Sequence, residues 1–156
     1  MRRTILAPLT SNERYLIDTN VISEYNREQF PHPGVVRWLE ATPEALQFLS
    51  VLTLAEIERG ILRKEEGKRR RELQRWFEEI LPARFAGRIL TFDAKLASHW
   101  AHLTATLLDR GRPLPTVDSQ LAATALANDL VLVTRNVKDY EGTGISIVNP
   151  WEQSRG

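Results

Sequence analysis

The chain has 156 residues, 42% of them hydrophobic, which suits one compact domain with a sizeable core. Its 21 lysines and arginines against 20 aspartates and glutamates leave a net charge of +1, so no global imbalance announces a nucleic-acid partner and any electrostatic footprint must be local. Cysteine is absent, which excludes disulfides, thiolate metal sites and cysteine nucleophiles, and leaves oxygen or histidine to ligate any metal. No apolar run reaches the roughly 18 residues that span a bilayer, and the N-terminus lacks the apolar stretch of a signal peptide, so the cytoplasm is the expected location.

Residues 1–13 mix arginines with Pro8, Ser11 and Asn12 ahead of the first clean apolar strand and read as a loose leader, with residues 14–156 forming the single domain. A strand at 14–18 precedes a short helix at 21–25 and a longer one at 35–41. A second strand at 46–51 feeds helices at 53–63 and 68–81, and a third at 88–92 feeds a helix at 93–110. Gly111, Pro113 and Pro115 break the chain before a helix at 116–127, which leads to a strand at 130–134; Gly142 and Gly144 loosen it before the last strand at 145–148. Strands alternating with helices predict a mostly parallel five-stranded sheet, because parallel neighbours need crossovers, and hence a three-layer α/β/α sandwich.

In open parallel sheets, ligands gather where strand carboxyl ends meet helix beginnings. Asp18 ends the first strand, Glu56 lies just after the second, Asp118 opens the helix after Pro115, and Asn136 and Asp139 follow the fourth strand. Regular winding would bring these positions to one edge of the sheet. Convergent carboxylates repel unless a cation joins them, and magnesium, with its preference for oxygen ligands and retained waters, is the natural ion. Each residue also has a plainer reading: Asp18 and Asp118 as helix caps, Glu56 as an exposed helix glutamate, Asp139 as a loop carboxylate. On a helical wheel Leu54, Ile57, Ile61 and Leu62 share one side while Glu56 lies roughly opposite, facing solvent or a cleft. Glu58 falls within the apolar arc, where an ion pair with an arginine is expected.

Residues 63–75 carry seven basic and three acidic side chains, a local 7 − 3 = +4. The favoured reading is a solvated helix face with intrahelical ion pairs, with RNA contact as the minority one. His99 and His102, three apart on a helix, make a weak zinc signature without a third ligand, so packing or surface roles come first. Trp38, Trp76, Trp100 and Trp151 sit beside aliphatic residues and read as core or interface anchors before base-stacking platforms.

Read with their neighbours, the acidic positions resemble the PIN-domain ribonucleases of the VapC and FitB toxin group. Four segments resemble the family's motifs in order: YLIDTNVISEY, LSVLTLAEIERGI, TVDSQLAATALAND and LVLVTRNVKDYE; FAGRILTFD and the ending ISIVNPW are similar to FitB-like members. The resemblance runs from about Tyr15 to Trp151 and implies a PIN-like sandwich. It implies that Asp18 and Asp118 are the principal magnesium ligands, directly or through water, with manganese as the alternative ion. Glu56 would complete the acidic pocket, and Thr19, Asn20 and Thr134 would be supporting hydrogen-bonders. Family members place a further acid either just after the Thr-Arg pair or three residues later; here Asn136 occupies the first position and Asp139 the second, and both remain candidates.

The activity so implied is a magnesium-dependent endoribonuclease, the toxin of a toxin–antitoxin pair, using a metal-activated water and leaving 5′-phosphate and 3′-hydroxyl ends. The implied partners are RNA, a second copy of the chain as a homodimer, and a cognate antitoxin whose C-terminal segment lies across the active-site groove; DNA contact would come through the antitoxin. Two alternatives stand beside it. One is a catalytically weak PIN-fold module acting with an antitoxin as a DNA-bound corepressor, to which Asn136 lends weight and against which the intact trio Asp18, Glu56 and Asp118 counts. The other is a DNA nuclease with the same metal chemistry, since such a site contacts phosphates rather than bases.

Overall fold

The computed structural model describes residues 12–152, so the expected leader lies outside the described residues except for Asn12 and Glu13, which are irregular. Strand β1 (Tyr15–Ile17) runs into helix α1 (Thr19–Tyr25), followed by α2 (Pro33–Ala41), β2 (Gln47–Ser50) and α3 (Val51–Leu62). Helix α4 (Lys68–Arg75) continues through a π-helical turn (Trp76–Ile80) into α5 (Leu81–Arg84). Then come β3 (Ile89–Leu90), α6 (Ala94–Asp109), α7 (Thr116–Ala127), β4 (Val131–Val133) and β5 (Ile147–Val148). All five strands pair in parallel, in the order β3-β2-β1-β4-β5.

Side-chain alternation along these short strands builds the three layers. Ile17, Leu49, Val133, Ile89 and Val148 face one core, which α1 to α5 cover with Val21, Val35, Leu39, Ile57, Ile61 and Leu81. Leu16, Phe48, Leu132, Leu90 and Ile147 face the other, covered by α7 through Leu121, Ala122 and Ala125 and by Leu103 of α6. Each fully buried leucine contributes roughly 1.5–3 kcal/mol relative to exposure. Strands buried on both faces read as continuous apolar runs, which is the pattern in Leu-Ile and Val-Leu-Val of β1 and β4. The expected α/β/α sandwich is therefore the fold that forms.

The strands are shorter than their apolar runs suggest because polar residues end them and start the next helix. Asp18 caps α1 by accepting from the Thr19 N–H, Ser50 caps α3 by accepting from Leu52 N–H, and Asp93 caps α6 through Leu96 N–H. The expected helix at 68–81 is interrupted by the π turn, and two 3₁₀ turns, Glu44–Leu46 and Val137–Tyr140, were not foreseen.

The last described segment is locked to the body at Gly34, in the first turn of α2. A Cβ on this buried glycine would stand 2.3 Å from the Pro150 carbonyl oxygen, a backbone atom with little freedom to retreat. Gly34→Ala is expected to lower stability by about 1–3 kcal/mol, seen as a lower urea midpoint with an unchanged slope. A variant as stable as the parent would show that α2 and the segment at Pro150 separate without cost.

Candidate active site

From β1 the chain moves outward through β2 to β3, then returns to the other side of β1 for β4 and β5, so winding reverses between β1 and β4. Such a reversal leaves a crevice at the carboxyl ends of the two strands. Ile17 is in register with Val133, which puts Asp18 and Thr134, the next residue of each strand, side by side. The Asp18 N–H donates to the Val133 carbonyl at 2.9 Å and fixes that registry.

Asp18 is buried at 5% exposure, and its oxygens are bound on several sides. Oδ1 accepts from the Thr19 N–H at 2.7 Å, and Oδ2 accepts from the Thr134 hydroxyl at 2.8 Å. Asn20 Nδ2 reaches both Asp18 Oδ2 at 3.4 Å and Thr134 Oγ1 at 3.3 Å, and the Asn136 N–H donates to Thr134 Oγ1 at 3.1 Å. A hydroxyl has a single proton; with two N–H donors directed at Oγ1, Thr134 donates its own to Asp18. The three supporting positions expected from the sequence, Thr19, Asn20 and Thr134, thus all engage: Thr19 also donates its hydroxyl to Glu56 Oε2 at 2.5 Å, joining α1 to α3.

The remaining acids are placed by electrostatics around this centre. Burial, opposed by the Thr134 and Thr19 hydrogen bonds and aided by repulsion from Glu56 and Asp118, pushes the Asp18 pKa up to about 6. Asp118, in the first turn of α7, is raised chiefly by burial and then by Asp139 and Glu56. Asp18, Glu56, Asp118 and Asp139 therefore share one field. Asn136 is exposed and joins the network through its backbone N–H, so Asp139 is the candidate that adds charge beside Asp118. Tyr140 is a participant sequence reading passed over. Its buried hydroxyl lies near enough to Asp118 to favour the carboxylate, without a well-formed hydrogen bond, and burial followed by the fields of Asp18 and Asp118 raises its own pKa.

The donor set is all oxygen and densely negative, which suits a hard dication. Among the described residues no three His, Asp or Glu side chains lie close enough to share an ion as direct ligands. The donor chemistry therefore fits a hard dication whose shell is completed mainly by water, and does not fit three direct protein ligands.

Of the basic stretch, Lys64 and Arg69 line the same cavity as Thr19 and Glu56. In the basic stretch Lys68 and Arg69 reach Glu72 at 3.8 and 3.9 Å, Arg69 reaches Glu28 at 3.7 Å, and Arg75 reaches Glu79 at 3.2 Å. His99 and His102 are exposed. Trp38 is buried edge-on against Tyr15, Trp76 and Trp151 pack partly buried on the same core, and Trp100 donates to Ser119 Oγ at 2.8 Å. Glu58 is half-buried and, among the described residues, makes no ion pair, contrary to the arginine partner expected for it.

The raised Asp18 pKa has a consequence for metal-free protein. Between its ordinary value of 3.8 and about 6, the folded chain keeps a proton that the unfolded chain releases. Stability from this group is present below that window and lost as pH rises through 6, by about 3 kcal/mol at most. In chelator, the urea midpoint of the parent is expected to fall relative to Asp18→Asn as pH rises from about 4 to 7; parallel profiles for the two proteins would refute a titrating buried carboxylate.

The PIN domain family pattern matches residues 15–140. The chain is 38% identical over 138 residues to the VapC ribonuclease Y4jK of Sinorhizobium fredii, covering 88% of this chain and 97% of that one. It is 35% identical over 136 residues to the toxin FitB of Neisseria gonorrhoeae, covering 87% and 97%. The structure of FitAB bound to an IR36 DNA fragment superposes with a TM-score of 0.83 at 34% identity, covering 88% of this chain and 95% of that one. A family pattern spanning most of the chain, relatives aligned over nearly their whole length and a shared fold establish that the chain belongs to the PIN-domain family.

Proposed function

We propose that the chain is a divalent-metal-dependent endoribonuclease and the toxin of a toxin–antitoxin pair. The observation that carries this reading is the buried Asp18 at the sheet's switch point, held rigid by Thr19 and Thr134 and sharing its field with Glu56, Asp118 and Asp139. The ribonuclease and toxin names of the two relatives support the substrate class and the biological role, and FitAB on DNA supports a partner protein through which DNA is met. A homodimer belongs to the same reading. Among the described residues no helix is long and apolar enough to cross a membrane, in keeping with a cytoplasmic site of action.

Asp18 and Asp118 would hold the ion, magnesium or manganese. Bound there, a divalent cation supplies positive charge to a non-bridging phosphate oxygen and acidifies a water. Thr134 and the Thr19 N–H keep Asp18 from rotating. Glu56, anchored through one oxygen by the Thr19 hydroxyl, accepts the proton of the attacking water. The water oxygen bonds to phosphorus as the bond to the 3′ oxygen breaks. That oxygen takes a proton from solvent, leaving 5′-phosphate and 3′-hydroxyl ends.

Purified protein, freed of any copurifying inhibitor, is to be incubated with labelled RNA and DNA in magnesium, manganese or chelator. RNA cleavage in either metal but not in chelator is expected, with at least a roughly hundredfold loss in Asp18→Asn and Asp118→Asn. A 2′,3′-cyclic phosphate product would exclude the water mechanism. DNA cleavage without RNA cleavage would reassign the substrate, and folded protein inert in every metal would favour the corepressor module, the reading to which the neutral Asn136 points.

A further inference from the structure

Arg135 follows Thr134 directly at the carboxyl end of β4, and its N–H donates to Asn20 Oδ1 at 3.4 Å, the same asparagine whose amide reaches Asp18. The side chain is exposed, one residue beyond Thr134, whose hydroxyl donates to Asp18. Among the described residues it forms no ion pair. Its guanidinium instead lies 5.4 Å from the ring centroid of Trp151.

That platform is built rather than incidental. Trp151 follows β5 at the same end of the sheet and packs on the core that α1 to α5 cover. Its N–H donates to Asn149 Oδ1 at 3.1 Å, its ring tilts against His32 at 6.2 Å, and the preceding Pro150 carbonyl seats where Gly34 has no side chain. A guanidinium stacked on an aromatic face keeps its in-plane N–H edge available, and that edge matches two phosphate oxygens as a fork. An RNA backbone approaching four carboxylates needs compensating positive charge beyond a single dication.

We propose that Arg135, stacked on Trp151, is a substrate-positioning residue that receives an RNA phosphate flanking the scissile bond. The assignment rests on the ribonuclease reading and extends it to a second point of contact. Because the contact is made alike in ground and transition states, its loss raises KM more than it lowers kcat.

The test is anisotropy of a fluorescein-labelled single-stranded RNA with the full chain in chelator, at salt from roughly 50 to 200 mM, alongside cleavage kinetics in magnesium. Arg135→Ala is expected to bind about tenfold more weakly at the lowest salt, with the slope of log affinity against log salt shallower by about 0.7, the value of one phosphate contact on a single strand. Arg135→Lys keeps the slope with intermediate affinity. Trp151→Ala shifts in the same direction as Arg135→Ala, and Trp151→Phe restores most of the loss. A cleaving parent whose Arg135→Ala variant keeps the parental slope and KM overturns this assignment alone. A parent that neither binds nor cleaves RNA overturns the ribonuclease reading and this contact with it.

Discussion

The hydrogen bond from the Thr134 hydroxyl to the buried Asp18 carboxylate ties together the two strands between which the sheet reverses its winding. Parallel registry makes it possible, because residues that follow paired positions on neighbouring strands emerge side by side. The Asn20 amide and the Asn136 N–H both point at the same hydroxyl oxygen, which leaves its proton one destination. A carboxylate so held has a fixed direction before any ligand arrives. Preorganisation of this kind is what metal and phosphate chemistry draws on, since little reorientation remains when charge develops.

The same burial sets a conflict between stability and chemistry. Desolvation and the fields of Glu56 and Asp118 favour protonated Asp18, whereas ligation of a cation needs the anion. The hydrogen bonds from Thr134 and Thr19 oppose desolvation without cancelling it. Without a cation the site is a place where the fold carries uncompensated charge near neutral pH, and a ligand that supplies positive charge stabilises the folded state in proportion to its binding.

Much of this was legible in the sequence, for identifiable reasons. Asp18, Glu56 and Asp118 stood out because strand ends and helix starts are readable from periodicity, and a parallel sheet sends those junctions to one edge. The choice between Asn136 and Asp139 was not, because it depends on the 3₁₀ turn at Val137–Tyr140: both residues are exposed, Asn136 engages through its backbone N–H, and the charge of Asp139 acts on Asp118. Tyr140 escaped notice since an aromatic after an apolar run is ordinarily core, and here it is core and site wall together. The π turn after Arg75 leaves no compositional mark distinguishable from an uninterrupted amphipathic helix. Arg135 and Trp151 belong to separate matched segments, and only the adjacency of β4 and β5 reveals that one stacks on the other.

Charge also proved informative only in place, not in sum. The basic stretch around α4 has the larger local excess: Lys68, Arg69 and Arg75 lie against neighbouring glutamates, in exposed pairs that do little more than solvate a helix, while Arg63, Lys64, Arg70 and Arg71 make no ion pair among the described residues. Arg135 is one cation, but it directly follows Thr134 at the carboxyl end of β4 and, among the described residues, makes no ion pair. What the site selects is a positive group able to reach a buried carboxylate. A proton does this below about pH 6; on the proposed function, a dication would do it at neutral pH while also meeting substrate phosphate. On the proposed function, a partner's arginine or lysine would meet the same carboxylates without acidifying a water, so a single electrostatic demand would underlie both activation by metal and silencing by an antitoxin.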